Sequence, residues 1–360
     1  MDKKDEIISR QLELIRQMTE RNMSRVGTDI WGTPQPQSAG VWDGKTPVTP
    51  VGKKETPVKE ASGAAGGDAK KPEDDLPPKE DIADLKKELD GYIGLDAIKG
   101  EVKNLINLAT VYQMRRANDL PVADISLHMV FSGNPGTGKT MIARFMARVY
   151  HSLGILSKGQ LVEVDRSGLV AGFVGQTALK TAKVCEEALG GVLFIDEAYT
   201  LTSKSDNDFG FEAVDTVLKY MEDHRDDIVV IVAGYTELME DFIASNPGLA
   251  SRFNKYLDFA DYTGEELAAI LALQCKKNCY TLTPEAEAEV RSYLDAAASA
   301  AGEFGNARGA RNFFEKILTV QANRLAGLPD VSRDMLMEIT AEDVKASEEI
   351  TGASLNERKV

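Results

Sequence analysis

Residues 133–140 read Gly-Asn-Pro-Gly-Thr-Gly-Lys-Thr, a spacing suited to gripping a polyphosphate. Gly133, Gly136 and Gly138 let the backbone curl until its N–H groups point inward at the phosphates. Asn134, Pro135, Thr137 and Met141 complete the stretch that would surround them. The amino end of a following helix adds positive potential. Lys139 is placed to reach the β- and γ-phosphates, and Thr140 offers a hydroxyl to Mg²⁺. The expected ligands are therefore ATP and Mg²⁺.

A second group of residues completes this chemistry. Residues 190–197, Gly-Gly-Val-Leu-Phe-Ile-Asp-Glu, form an apolar run that ends in two carboxylates. Such a strand end holds Mg²⁺ in nucleotide hydrolases, which assigns that task to Asp196 together with Thr140. Glu197 beside it is placed to polarise the attacking water. One acidic pair alone would say little. The pair about sixty residues after a phosphate loop says much more.

These residues need elements to hold them. Leu127 to Ser132 reads as a buried strand entering the loop, and Met141 to Tyr150 reads as a helix leaving it. Further β-rich runs fall at 161–165, 191–196, 228–233 and 255–260, with helical patterns between most of them. That alternation predicts an α/β domain over 81–262, with a mostly parallel sheet covered by helices on both faces. Residues 263–348 read as helix only. Thr263 with Glu266 forms a capping box, Thr283 before Pro284 starts the next helix, a third runs from about Arg308 to Ala326, and Thr340 caps a short last one. Residues 349–360 read as a tail.

The amino-terminal part differs. Within residues 1–26, the stretch 4–25 carries a helical pattern with Ile8, Leu12, Ile15 and Met18 on one side. Residues 27–80 hold eight of the thirteen prolines, with Gly, Ser, Thr and Lys between them, a linker composition expected to be disordered. Both tryptophans, Trp31 and Trp42, sit in this linker and suggest a short docking motif for clients or adaptors.

Composition narrows the partners. With 42 basic and 57 acidic residues the net charge is −15, which disfavours nucleic acid and anionic membrane surfaces. No apolar run approaches a membrane span. Cys185, Cys275 and Cys279 form no disulfide framework and read as thiols of a cytoplasmic protein.

Six motifs in order then resemble the AAA+ ATPase family that includes the sporulation protein SpoVK and the red-type Rubisco activase CbbX. They are Gly91 to Leu95, the phosphate loop, Phe194 to Tyr199, Ile231 to Tyr235, Asn246 to Phe253 and Gly305 to Asn312. The resemblance implies a P-loop core with a five-stranded parallel sheet, followed by an all-α lid. It implies that Tyr92, Ile93 and Gly94 border the adenine. It implies that Arg252 is an arginine finger for the neighbouring subunit's γ-phosphate, and that Arg308 senses nucleotide from the lid, with Arg311 as second candidate. Tyr235 stands where a polar Asn or Thr often ends the fourth strand. Ala250 stands where a further arginine is expected, which leaves Arg252 alone.

A finger supplied in trans requires a ring, so the resemblance implies a homo-oligomer, a hexamer. Phe173, Val174 and Gly175 resemble the aromatic, hydrophobic, Gly loop that lines the pore of protein-threading machines, and 203–210 would form a second pore loop. The expected activity is ATP-driven remodelling of a protein client. A Rubisco-activase-like enzyme and a nucleotide-gated recruitment scaffold are the alternative readings.

Overall fold

The computed structural model describes residues 77–123, 126–173, 175–202, 209–299 and 304–357, with side chains as far as Glu349. The expected amino-terminal helix, the linker up to residue 76 with its tryptophans, Val174 and residues 203–208 lie outside the described residues. The described chain belongs to one compact unit.

The first half of that unit is a doubly wound α/β layer. Helices α1 (Ile82–Asp90) and α2 (Asp96–Ala117) lead into β1 (Met129–Gly133) and α3 (Lys139–Ser152). There follow β2 (Leu161–Val164), α4 (Arg166–Leu169), α5 (Thr177–Ala188), β3 (Val192–Ile195), a 3₁₀ turn (Ala198–Thr202) and α6 (Gly210–Asp223). Then come β4 (Val229–Gly234), α7 (Thr236–Ala244), α8 (Pro247–Arg252) and β5 (Lys255–Phe259). All five strands pair in parallel, in the order β2-β3-β4-β1-β5. The sequence anticipates each strand to within two residues at either end.

The reason is visible in the burial. Strands β1, β3 and β4 are buried at every position. A parallel sheet with helices on both faces needs such continuous apolar runs. Alternate residues serve the two faces. Met129, Phe131, Phe194 and Ile231 pack with α2 and α3 on one side, and Val130, Leu193, Val230 and Val232 pack with α6 and α7 on the other. Strand β1 lies between β4 and β5, while its successor β2 lies at the far edge. The crevice beyond the carboxyl end of β1 is therefore where such a sheet takes a ligand.

The second half is the lid: α9 (Gly264–Lys277), α10 (Pro284–Ala298), α11 (Asn306–Ala326), α12 (Arg333–Met337) and α13 (Ala341–Glu357). The capping box of Thr263 and Glu266 is formed in both directions. Thr283 caps α10 with Pro284 in its first turn. Two features differ from the sequence reading. The last helix is not short but spans 17 residues, running through most of the expected tail. The helices also enclose a two-stranded parallel ladder of β6 (Thr281–Leu282) and β7 (Glu338–Ile339). The lid has its own core around Leu271, Leu294, Phe313 and Ile317.

Candidate functional site

Strand β1 delivers the glycine-rich loop to the crevice, and α3 begins on Lys139 immediately after it. Three glycines take left-handed backbone, with φ of 135° at Gly133, 77° at Gly136 and 99° at Gly138. At Gly133 a Cβ would collide with the Phe259 carbonyl, so the close pairing of β1 with β5 also demands glycine there. Gly138 is the residue before α3 and supplies no side-chain cap. The first N–H groups of that helix are thus left for an anion.

Lys139 crosses back over the loop and donates to the carbonyls of Gly133 (2.7 Å) and Asn134 (2.8 Å). Burial pushes its ammonium below the ordinary lysine range, and nearby Arg308 acts in the same direction, while Asp196 and Asp261 oppose it. A phosphate group arriving here would restore the charge that burial disfavours. Thr137 is fully buried and closes the loop through its own hydroxyl on Asn134 O (2.8 Å).

Asp196 and Glu197 follow β3 directly. One Asp196 oxygen accepts the Glu197 N–H (3.0 Å), which orients the carboxylate at the strand end. Thr140 bonds to none of the described residues through its hydroxyl. The pair Thr140 and Asp196 fits Mg²⁺ as an oxygen-donor set that the ion would complete with water and phosphate. Glu197 has φ of 48°, an uncommon backbone for this residue type. The 3₁₀ turn that follows holds it there, because Thr200 donates to the Glu197 carbonyl from its N–H (2.9 Å) and its hydroxyl (2.7 Å). Strain of this kind concentrates at active sites.

The lid is bonded to the phosphate loop by residues that the sequence reading passed over. Asn306, 2 % exposed, opens α11. Its amide donates to Asp261 (2.7 Å) and to the Pro135 carbonyl (3.3 Å), and its oxygen accepts the Tyr262 N–H (2.9 Å). Asp261 also accepts from Asn134 inside the loop (2.9 and 3.0 Å). The Ala307 N–H donates to the Gly136 carbonyl (3.2 Å), and a Cβ on Gly136 would strike the Gly305 carbonyl. Arg308 therefore starts its side chain against the loop, its N–H 3.1 Å from that same added Cβ. Arg311 lies one turn further on and is exposed.

Asn306→Ala should destabilise the protein by about 2–4 kcal/mol, because it orphans the Tyr262 N–H and places alanine at a left-handed φ of 54°. Urea unfolding measures that loss. Asn306→Gly should recover the backbone part of it and leave the rest.

The segment that the family resemblance set beside the adenine is wedged between core and lid. Gly94 has φ of 61°, and a Cβ there would strike the Glu266 carboxylate. Leu95 packs against both the core and the lid cluster. Tyr92 turns inward instead. Its ring meets Phe145 edge-on at 5.9 Å, and its hydroxyl donates to Glu88 (2.7 Å). Tyr235 follows β4, half-exposed, with its ring 6.1 Å from Tyr199. The polar groups near that strand end are Ser132 and Thr236, both donating to Asp258 (3.0 and 3.4 Å). Met141 lies near Gly138 and is half-exposed.

Arg252 is not part of this cluster. It ends α8 and its carbonyl accepts from Ser126, on the segment that enters β1. The phosphate loop leaves the other end of that strand. The five residues of β1 separate them by roughly 16 Å. In the isolated chain Arg252 pairs with Glu222 (3.1 Å). Beside it His128 is 6 % exposed, and its Nδ1 accepts the Val230 N–H (2.9 Å). Burial, aided by the Arg252 charge, lowers the His128 pKa to about 4.

That depression has a consequence for stability. Between pH 6.5 and 4 the unfolded chain binds a proton that the folded chain refuses, so folding stability falls as pH drops through this window. The His128 contribution amounts to about 3 kcal/mol. His128→Gln should flatten the urea midpoint between pH 7 and 5, and an unchanged slope would refute the assignment.

Residues 129–261 match the AAA family, "ATPase family associated with various cellular activities", and residues 263–353 match the AAA lid domain. The chain is 38 % identical over 275 residues to stage V sporulation protein K of Bacillus subtilis strain 168, covering 76 % of this chain and 85 % of the relative. It is 41 % identical over 284 residues to protein CbbX of Cereibacter sphaeroides, covering 78 % and 91 %.

The chain belongs to the AAA ATPase family.

This AAA ATPase hydrolyses ATP, and its family uses nucleotide with Mg²⁺. Its kinship also includes a chloroplastic ribulose bisphosphate carboxylase/oxygenase activase of Cyanidioschyzon merolae, 41 % identical over 269 residues, covering 74 % and 90 %. Among solved structures, a RuvB mutant of Thermotoga maritima shares the fold at a TM-score of 0.50 and 19 % identity, covering 76 % of this chain and 73 % of the other. No helix among the described residues is long and apolar enough to cross a membrane.

Proposed function

We propose that this AAA ATPase assembles into a ring, a hexamer, and uses ATP to pull on a protein client through the central pore. The placement of Arg252 carries the proposal. It stands at the wrong end of β1 to serve its own nucleotide, so any role on a γ-phosphate must be played on a neighbour's. In this reading Lys139 serves the phosphates, Thr140 and Asp196 the metal and Glu197 the attacking water, supported by the positions of the phosphate loop after β1 and of the acidic pair after β3. Arg308 couples the lid to the same phosphates.

The client-gripping element is the loop between α4 and α5. Phe173 is 73 % exposed, which a core phenylalanine at a strand corner would not be. The glycines beside it, Gly172 and Gly175, stand in open space. The base of the loop is fixed, since Thr177 accepts from the Ala171 N–H (3.1 Å) and Lys180 caps the Val170 carbonyl (3.0 Å). An aromatic tip on a rigid base grips a polypeptide by apolar contact without reading its sequence.

The test is a substrate trap. Glu197→Gln should hold ATP without hydrolysing it, and proteins that co-purify with the ATP-loaded form would be identified. Adding Phe173→Ala should lower recovery of the client at least about tenfold while leaving ATP binding unchanged. Partners retained equally without Phe173, and lost on removing residues 1–80, would mean a recruitment scaffold and would sink the threading reading. Recovery of the Rubisco large subunit would assign an activase role.

A further inference from the structure

We propose that Asp261 is a positioning residue for nucleotide binding, a clasp that ties the phosphate loop to the lid and keeps the loop in its curled shape. Asp261 lies in the short segment that leads from β5 to α9, where the core ends and the lid begins. It holds both sides at once. Its carboxylate accepts from the Asn134 amide on both oxygens (2.9 and 3.0 Å) and from the Asn306 amide on one (2.7 Å). Asn134 is the second residue of the loop, and Asn306 opens α11 two residues before Arg308.

The next residue repeats the connection. Tyr262, 6 % exposed, donates its N–H to Asn306 (2.9 Å) and its hydroxyl to the Thr137 carbonyl (3.3 Å). The hinge segment thus fixes the loop at Asn134 and Thr137, and the Asn306 amide fixes it at Pro135. The loop glycines leave the backbone free to take other shapes, and its N–H groups converge on a polyphosphate in the curled one. A half-buried carboxylate bonded to two amides holds that shape more firmly than neutral acceptors would. Lys139 rests on the same support, since it donates to the Asn134 carbonyl (2.8 Å).

Asp261 is itself anionic and has nothing to offer a phosphate directly. It acts through Asn134 and Asn306, which sets it apart from Arg308. A preformed loop binds substrate and transition state alike, so its loss falls on affinity and not on the chemical step. This role rests on residues 133–140 cradling the phosphates.

The test is the affinity of the full chain for AMP-PNP with Mg²⁺, by isothermal titration calorimetry, beside KM and kcat for ATP. Asp261→Ala should weaken binding and raise KM at least about tenfold, with kcat within about threefold of the parent. Asp261→Asn should bind within about threefold of the parent. Its oxygen still accepts from Asn306, and its amide donates to a turned-over Asn134. That isosteric variant keeps the clasp, removes the charge, and keeps the test decisive if Asp261→Ala fails to fold. Asn134→Ala and Asn306→Gly should each cost about tenfold or more, and together within about threefold of the weaker one, because either opens the same clasp. Parental affinity in Asp261→Ala, a tenfold loss in Asp261→Asn, or a double variant weakened by the product of its two parts would overturn the clasp. So would a loss confined to kcat. Lys139→Ala should abolish AMP-PNP binding whatever Asp261 does, and retained binding there would overturn the phosphate-loop reading and the clasp with it.

Discussion

Replacing Arg252 by alanine should lower ATP turnover by about 10³–10⁵-fold while leaving ATP affinity nearly unchanged. The charge that develops on the γ-phosphate calls for a further cation beside the home subunit's Lys139 and Arg308. Lys139 is committed to the loop, and Arg308 approaches from the lid. Arg252 lies at the far end of β1, and in the proposed ring it would complete the site on the next subunit. Its ion pair with Glu222 is largely exposed on the Glu222 side and contributes about 1 kcal/mol or less to the fold. A large kinetic loss with a small change in unfolding midpoint would therefore separate a catalytic role from a structural one. Mixing gives the sharper result. Arg252→Ala keeps an intact phosphate loop, and Lys139→Ala keeps an intact finger. Each alone should be nearly inactive, and the mixture should regain activity at interfaces where a sound loop faces a sound arginine. No recovery on mixing would contradict action in trans.

Why are the loop, the acidic pair and the strands legible in the residues themselves, when the assignment of Arg252 to a neighbouring subunit came only through the family resemblance? The loop, the acidic pair and the five strands are contiguous stretches. Each announces itself through local rules: glycine at positive φ, an apolar run buried on both faces, a capping residue before a helix. The order of strands is a matter of non-local pairing, and only that order puts β1 between β4 and β5 and Arg252 at its wrong end. The bond between Asn134 and Asp261 spans 127 residues, and that between Asn306 and Asp261 spans 45. Asparagines and an aspartate at such separations read as turn residues until the fold brings them together. One signal was present, since Asn306 belongs to the same short motif as Arg308. The ladder of β6 and β7 has two residues per strand, too few to show a period. Residues 349–360 are mostly polar, with no apolar period to extend the last helix, and read as a tail. The structure continues through it.

Glu197→Gln should reduce turnover by about 10²–10⁴-fold and leave Mg²⁺-dependent ATP binding intact. The substitution keeps the size of the side chain and removes only its capacity to take a proton from water. The backbone is held by the Thr200 bonds to the Glu197 carbonyl, which the new side chain does not touch. Asp196 keeps its contact with the N–H of residue 197, so the proposed cation ligand stays oriented. Asp196→Asn makes the informative contrast. It weakens the ligand to the metal and should lower nucleotide affinity in Mg²⁺ while changing affinity in EDTA little. Two neighbouring carboxylates with opposite signatures, one seen in turnover alone and the other in metal-dependent binding, would assign water activation to Glu197 and metal holding to Asp196. If Glu197→Gln instead kept turnover within about tenfold of the parent, the water would be activated by another group. The half-exposed Tyr235 and the Asp258 cluster beyond β4 would then be the residues to replace next, since they lie at the adjoining strand end.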